Sequence, residues 1–228
     1  MPLAGHLAEL RNRLLWSLLA VGIGAAVGFG FGDRIIEVLK APLPPNVPLI
    51  VTQIGAAFAI RLQVALVAGV ILAMPVLLFH VWRFISPGLT QSERRAVLPW
   101  IPLALVFFAI GVTIAYVILP FAITFLLAFT TDRIVAHLTA TAYFGFVTTM
   151  FLAFGLLMEF PIVLYGLSRV GILSSARLRG ARRMVIPGLF VFAAIATPGG
   201  DLVSPTVLWI TMVILFELTI VAIRRSGR

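Results

Sequence analysis

VLPWIPLALVFFAIGVTIAYVIL, residues 97–119, is a run of 23 residues without one charged side chain, and it decides the fold class. A helix needs about 20 mostly apolar residues to cross the roughly 30 Å of bilayer hydrocarbon. Because backbone polar groups in lipid must be satisfied within the segment itself, a run of this length predicts a transmembrane helix. Arg94 and Arg95 precede the run, separated from it by Ala96, and mark its polar end.

The same pattern recurs along the chain. Six spans are predicted, at about residues 14–32, 62–82, 97–119, 142–167, 184–197 and 204–223. The fifth run would extend only about 21 Å as a helix, which is less than the hydrocarbon thickness. We favour two short final spans with local bilayer thinning over a re-entrant hairpin, although the charges fit both. The sequence therefore predicts one all-α polytopic membrane domain over residues 1–228.

The composition supports this class. Of the 228 residues, 61% are hydrophobic and 11% are charged, with a mean hydropathy of +1.14, whereas soluble domains carry about 25% charged residues. The net charge of +9 would suggest nucleic-acid binding in a soluble protein, but here the arginines lie between apolar runs, so no nucleic-acid partner is expected. The absence of cysteine excludes disulfides and thiolate metal sites.

Basic residues are distributed unevenly between the two predicted faces. With the N-terminus inside, thirteen of the seventeen fall in cytoplasmic segments: Arg11, Arg13, Arg83, Arg94, Arg95, Arg169, Arg177, Arg179, Arg182, Arg183, Arg224, Arg225 and Arg228. The other face keeps four: Arg34, Lys40, Arg61 and Arg133. Such a bias in short loops sets orientation during insertion. The sequence therefore predicts six spans with both termini in the cytoplasm.

Glu9 and Glu93 are the only acidic residues in the predicted cytoplasmic segments. Isolated carboxylates among many arginines are natural acceptors for guanidinium groups of a ligand, because arginine pairs with a carboxylate through two hydrogen bonds. The alternative is that arginines of the chain itself neutralise both. Arg13, four residues after Glu9, is placed for an ordinary intrahelical pair. The residues alone leave both interpretations open.

Glu159 lies inside the fourth predicted span, with apolar residues on both sides and Pro161 two positions later. A charge at this depth costs at least about 2.5 kcal/mol. We therefore expect Glu159 to be protonated, to face a watery cavity or to meet a polar partner, and we predict an intramembrane functional residue. The alternative is a buried hydrogen bond without functional importance.

Sequence patterns of catalysis and metal binding are absent. The chain has no H-E-x-x-H, no G-x-S-x-G and no phosphate-binding glycine loop, and His6, His80 and His137 fall in different segments. We expect no enzyme activity, no catalytic residue, no cofactor and no metal site. A proton-coupled small-solute transporter or channel that uses Glu159 is one class of function that remains. A membrane-embedded structural scaffold is another.

Three segments carry motifs in a fixed order: residues 6–14 (HLAELRNRL), residues 84–95 (FISPGLTQSERR) and residues 154–161 (FGLLMEFP). Together they resemble the TatC family, the receptor and core subunit of the twin-arginine protein translocase. The resemblance covers nearly the whole chain. It implies a non-enzymatic subunit of the inner membrane that exports folded proteins by using the proton-motive force. It also implies a curved, glove-like arrangement of six helices.

The resemblance assigns roles to particular residues. Glu9, Arg11, Glu93, Arg94 and Arg95 would receive signal peptides that bear two consecutive arginines. Glu93 would be the primary guanidinium acceptor with Glu9 beside it, while Arg94 and Arg95 would orient the loop.

The resemblance also implies partners and one exception. Glu159 matches the intramembrane glutamate on the concave side of the family's helix arrangement. Single-span subunits of the TatA and TatB type would pack against the fifth and sixth spans, in an oligomeric complex. Residues 197–201 (TPGGD) contain one residue more than the family pattern, and Ser204-Pro205 lacks its glutamine, so no role is carried over to Asp201.

Overall fold

The computed structural model describes residues 3–45, 47–88, 90–91, 94–95, 98–130 and 137–225. Their regular elements are eight α-helices: α1 (Leu3–Gly30), α2 (Gly32–Lys40), α3 (Ala56–Ile85), α4 (Trp100–Leu127), α5 (Ala140–Leu157), α6 (Phe160–Arg169), α7 (Ser175–Ala196) and α8 (Val203–Arg225). A single 3-10 turn, Ser86–Gly88, follows α3. Ile50 and Thr139 form an isolated parallel bridge. The all-α prediction is confirmed over these residues.

Five segments of the described chain are long and apolar enough to cross a membrane: Leu7–Gly30, Ala56–Gly88, Trp100–Leu127, Ala140–Arg169 and Val203–Arg225. They overlap all predicted spans except the fifth. The helix over the fifth, α7, has 22 residues, but four arginines occupy its first half, so only its second half is apolar. The last helix, α8, has 23 residues and is not short. The count of six spans and the single-domain assignment stay predictions.

Several helices extend beyond the predicted spans. Residues 177–183, predicted as a loop, form the first turns of α7, because the Ser174 hydroxyl accepts a hydrogen bond from the Arg177 amide at 3.3 Å and caps the helix. The third span was predicted to end at residue 119, yet α4 continues through Pro120. Pro75 and Pro187 also lie inside uninterrupted helices. Membrane helices tolerate proline because neighbouring groups satisfy the freed carbonyls.

The chain divides into two compact units. The first comprises residues 1–105 and 138–148, and the second residues 106–137 and 149–228. In the first unit, α1 and α3 pack where both lack side chains. A Cβ on Gly24 would lie 2.8 Å from the Gly69 carbonyl oxygen, and a Cβ on Gly28 would lie 3.0 Å from the Ala68 Cβ. Small residues four apart permit such close helix approach in membranes.

In the same unit, the Arg61 side chain of α3 binds both the end of α1 and the start of α2. Its Nε and Nη2 each donate to the Phe29 carbonyl oxygen at 3.3 Å, and its guanidinium lies 5.0 Å from the centroid of the Phe29 ring. Its Nη1 and Nη2 also donate to the Asp33 carboxylate, at 3.1 and 3.2 Å. Arg61 therefore satisfies a carbonyl that the end of α1 leaves without a helical partner.

The two partners of Arg61 are expected to contribute unequally to stability. Asp33 is 83% exposed, so Asp33→Asn should change the unfolding free energy by less than about 0.5 kcal/mol. Arg61→Met removes the hydrogen bonds to the Phe29 carbonyl as well and should cost about 1–2 kcal/mol. Thermal unfolding in detergent measures both. Equal losses for the two variants would contradict this account.

The segment between α2 and α3 is held against the start of α5. The Ile50 amide donates to the Leu138 carbonyl at 2.9 Å, and the Ala140 amide donates to the Ile50 carbonyl at 2.8 Å. The buried Tyr143 hydroxyl donates to the Leu39 carbonyl at 2.6 Å, which fixes the last turn of α2. These contacts order the polar connection that follows α2.

In the second unit, α7 and α8 pack side by side. Arg182 of α7 forms an ion pair with Glu217 of α8 at 2.5 Å, and the Trp209 Nε1 donates to the Ile186 carbonyl at 2.8 Å.

Asp201, at the start of α8, is buried. Its Oδ1 accepts a hydrogen bond from the Ser204 amide at 2.6 Å and so caps the helix. Asp201 therefore has a structural role that the sequence analysis did not assign.

Candidate functional site

One face of the first helix carries the polar residues of the candidate site. Glu9, Asn12, Arg13 and Trp16 follow the spacing of three, four and seven residues that brings side chains to one side of a helix. They line a surface depression of about 460 Å³ together with Arg83 of α3, Gly5 and Ala8. The depression therefore combines one carboxylate, two guanidinium groups, an amide and an indole.

The register of α1 on α3 explains why Arg83 joins this face. Gly24 lies opposite Gly69, and Gly28 lies near Ala65. The two helices are thus antiparallel, and the residue numbers of each contacting pair add up to 93. The same register places Arg83 level with residue 10, about 21 Å from the glycine contact at a rise of 1.5 Å per residue. The glycine contact therefore sets the position of Arg83 beside Glu9.

Glu9 is engaged by its own helix. The Arg13 Nε donates to the Glu9 Oε1 at 3.0 Å, and the Arg13 Nη2 contacts the same oxygen. The Glu9 side chain is 21% exposed and the Arg13 side chain is 16% exposed. The intrahelical pair, one of the two interpretations left open by the sequence, is thus formed. A carboxylate has about four acceptor positions, so this pair does not prevent a second guanidinium from binding.

The other predicted site residues are not brought into the depression. Arg11 is exposed, and its position two residues after Glu9 turns it about 200° away around the helix. Arg94 and Arg95 are also exposed and do not line the depression. Glu93 lies outside the described residues. Among the residues that the structure describes, Glu9 is the predicted site residue that lines this depression.

Sequence analysis missed Asn12, Trp16 and Arg83 as members of the site. Asn12 and Trp16 could have been found from their helical spacing of three and seven residues after Glu9. Arg83 could not, because its place depends on the register of α1 against α3. That register follows from glycines whose packing role was not recognised in the sequence.

Glu159 lies at a break in the fourth apolar segment. The helix α5 ends at Leu157 and α6 begins at Phe160, so Glu159 is in the turn between them. Pro161 causes the break, since it cannot donate an amide hydrogen bond to the Leu157 carbonyl. The Glu159 carbonyl accepts the amides of Ile162 and Val163 at 3.0 and 3.2 Å. Its side-chain Oε1 is buried and has no hydrogen-bond partner among the described residues.

A close contact of α4 with α5 positions this break. A Cβ on Gly111 would collide with the Phe154 carbonyl oxygen and would lie 2.7 Å from the Met158 side chain. The Met158 side chain is fully buried. The residue before Glu159 is therefore tightly held, while Glu159 itself is only partly buried. The described residues offer this oxygen no partner, so it stays a prediction that Glu159 is protonated, faces a watery cavity or meets a polar group.

Comparison with known proteins identifies the family. Residues 5–210 match the family described as Sec-independent protein translocase protein (TatC). The chain belongs to the TatC family. The TatC protein of Desulforapulum autotrophicum is 38% identical over 232 residues, which cover 100% of this chain and 86% of that protein. The TatC protein of Aquifex aeolicus is 36% identical over 226 residues, covering 96% and 93%.

Solved structures agree with the family assignment. A crystal structure of the twin-arginine translocase receptor TatC in DDM superposes with a TM-score of 0.83 at 34% identity, covering 96% of this chain and 99% of that chain. The predicted family is confirmed, and the chain is a multi-pass membrane protein. TatC is a protein-translocase component and not an enzyme. Nothing in these likenesses to TatC supports solute transport.

Proposed function

We propose that this chain is the receptor and core subunit of a twin-arginine translocase in the cytoplasmic membrane. It binds signal peptides that carry two consecutive arginines and exports their folded cargo by using the proton-motive force. The observation that carries the proposal is the match of nearly the full chain, in sequence and fold, to a twin-arginine translocase receptor. The three sequence motifs fall within the matched length.

The proposed peptide site lies at the N-terminal end of α1 and in the segment after α3. Glu93 is the primary guanidinium acceptor, and Glu9 binds the peptide beside it from the depression on α1. Arg11 belongs to the same peptide-binding segment of α1, and Arg94 and Arg95 orient the segment after α3. In a chain of net charge +9, two carboxylates on an otherwise basic face give a cationic peptide one favourable place to bind.

Binding of synthetic signal peptides to the purified chain tests the proposal. A twin-arginine peptide should bind, and its twin-lysine counterpart should bind at least about tenfold more weakly, because lysine keeps the charge but loses the bidentate geometry. Fluorescence anisotropy in detergent measures both affinities. Equal affinity for the two peptides would contradict a twin-arginine receptor.

We also propose six spans with both termini in the cytoplasm. Single cysteines can be introduced into this cysteine-free chain and labelled with an impermeant thiol reagent. Gly180 suits this purpose because it is exposed and a Cβ there meets nothing within 4 Å. Gly180→Cys should be labelled only after the membrane is permeabilised, whereas the control Val51→Cys should be labelled in intact cells. Labelling of both from outside would overturn the orientation.

Glu159→Ala is expected to separate transport from peptide binding. Transport should fall about tenfold or more, or about 1.4 kcal/mol in barrier height, because the buried carboxylate is lost from the span. Peptide affinity should stay within about twofold, since Glu159 does not line the depression that contains Glu9. Leu156→Ala, at an exposed position one turn earlier, is the matched control. Normal export by Glu159→Ala would contradict the role of this residue.

Single-span subunits of the TatA and TatB type are the proposed partners of α7 and α8. Large apolar side chains on these helices are exposed, including Met184 at 81%, Ile195 at 79% and Leu218 at 59%. In a membrane such a surface contacts either lipid or another helix. The proposal rests on the family membership, and the exposed surface leaves room for a partner helix.

A further inference from the structure

The depression beside Glu9 continues into a second, apolar depression on α1. The second has a volume of about 290 Å³ and is lined by Asn12, Leu15, Trp16 and Leu19. Asn12 and Trp16 line both. The two depressions therefore adjoin, with charged groups in one and aliphatic side chains in the other. A ligand that fills both must have a polar head and an apolar tail.

In the absence of a peptide, Arg83 offers an anion a binding group in the polar depression, beside the carboxylate of Glu9. Its charged side chains are Glu9, Arg13 and Arg83, with a formal sum of +1. Arg13 is bonded to Glu9. Arg83 lies 5.9 Å from the centroid of the Phe79 ring, and none of the described carboxylates forms a salt bridge with it. Arg83 is thus the positive charge in the depression that lacks an acidic counterpart within the described residues.

The position of the two depressions suits a membrane lipid. They lie at the N-terminal end of the first candidate span, where charged residues give way to a continuous apolar sequence. Trp16 is 61% exposed and lies between the polar and apolar parts. Tryptophan is enriched at this level because its ring is amphipathic and its indole N–H donates to polar groups.

We propose that this pair of depressions is a binding site for an anionic phospholipid of the bilayer. Arg83 and Arg13 contact the headgroup phosphate, with the Asn12 amide as a further donor. One acyl chain lies along Leu15 and Leu19. Guanidinium groups suit phosphate because they offer several donors in a planar array. The polar depression is also the one from which Glu9 is proposed to bind the signal peptide. Lipid binding is therefore measured without peptide, so that either proposal can fail without the other.

Native mass spectrometry of the full chain, released from detergent micelles with added lipid, tests the proposal. At equal concentration, phosphatidylglycerol should bind about tenfold more tightly than phosphatidylcholine. Arg83→Gln should remove that preference, because it deletes the positive charge and the planar array of donors that contact the phosphate. Arg225→Gln changes the net charge equally at an exposed position on α8 and should leave the preference within about twofold. Leu19→Gln should weaken phosphatidylglycerol binding through the acyl chain.

Defined outcomes would overturn the proposal. Equal binding of the two lipids would do so, as would equal losses in Arg83→Gln and Arg225→Gln, because general attraction to a basic chain would then suffice. Glycerol phosphate that competes as effectively as the intact lipid would show that the apolar depression is not used.

Discussion

Gly69→Leu is expected to abolish the packing of α1 on α3, and with it most of the folded protein. A Cβ at this position would lie 2.6 Å from the Ala25 amide nitrogen and 2.7 Å from the Val21 carbonyl oxygen. Both are backbone atoms, so they cannot rotate away as a side chain would. Overpacking usually costs 1–3 kcal/mol, and a clash of backbone with side chain should cost at least about 3 kcal/mol.

Gly22→Leu is the matched control for this experiment. It introduces the same side chain into α1, where a Cβ meets nothing within 4 Å. The unfolding free energy should therefore change by less than about 0.5 kcal/mol. Retention of monodisperse protein after heating in detergent measures both variants. A Gly69→Leu protein as heat-resistant as the Gly22→Leu protein would show that the glycine contact does not hold these helices together.

Glu93→Lys is expected to remove high-affinity binding of twin-arginine signal peptides. The substitution deletes the proposed primary acceptor and adds a positive charge where the peptide brings two. Losing a charged hydrogen-bond partner costs about 1.5–3 kcal/mol, and the added repulsion increases the loss, so the affinity should fall about 100-fold or more. Anisotropy with a labelled peptide measures this directly.

Glu37→Lys is the control for the charge reversal. Glu37 is an exposed carboxylate on α2, on the face predicted to lie outside the cell, and its reversal changes the net charge by the same amount. Peptide affinity should stay within about twofold of the parent. A similar loss in the two variants would attribute the effect to overall charge, and unchanged binding by Glu93→Lys would exclude Glu93 as the acceptor.

Much of the fold could be predicted because apolar run length is a strong signal. The 97–119 run contains most of α4, and four more predicted spans coincide with long apolar helices. The errors arose at polar ends and prolines. Arginines in residues 177–183 indicated a loop, but four arginines do not prevent a helix that Ser174 caps. The third span was predicted to end at residue 119, but α4 continues past Pro120 because the sequence on both sides is apolar.

Less of the candidate site could be predicted, because it depends on tertiary contacts. The Glu9–Arg13 pair follows from spacing alone and is formed. The partnership of that pair with Arg83 depends on the register that Gly24 and Gly69 set between two helices. Residue spacing within one helix carries no information about that register. The small residues Gly24 and Gly28, four apart in an apolar helix, were the one available clue.

Acidic residues of the receptor are proposed to accept the arginines of the signal peptide, and a double-mutant cycle between Glu93 and the peptide measures this pairing. Two receptors, the parent and Glu93→Gln, are each measured with two peptides. One peptide carries both arginines, and the other has glutamine in place of the first arginine, which gives four affinities. If the two groups pair, the effects should be non-additive, with a coupling energy of about 1.5–3 kcal/mol. Additive effects within about 0.3 kcal/mol, for both arginines tested in turn, would contradict the claim.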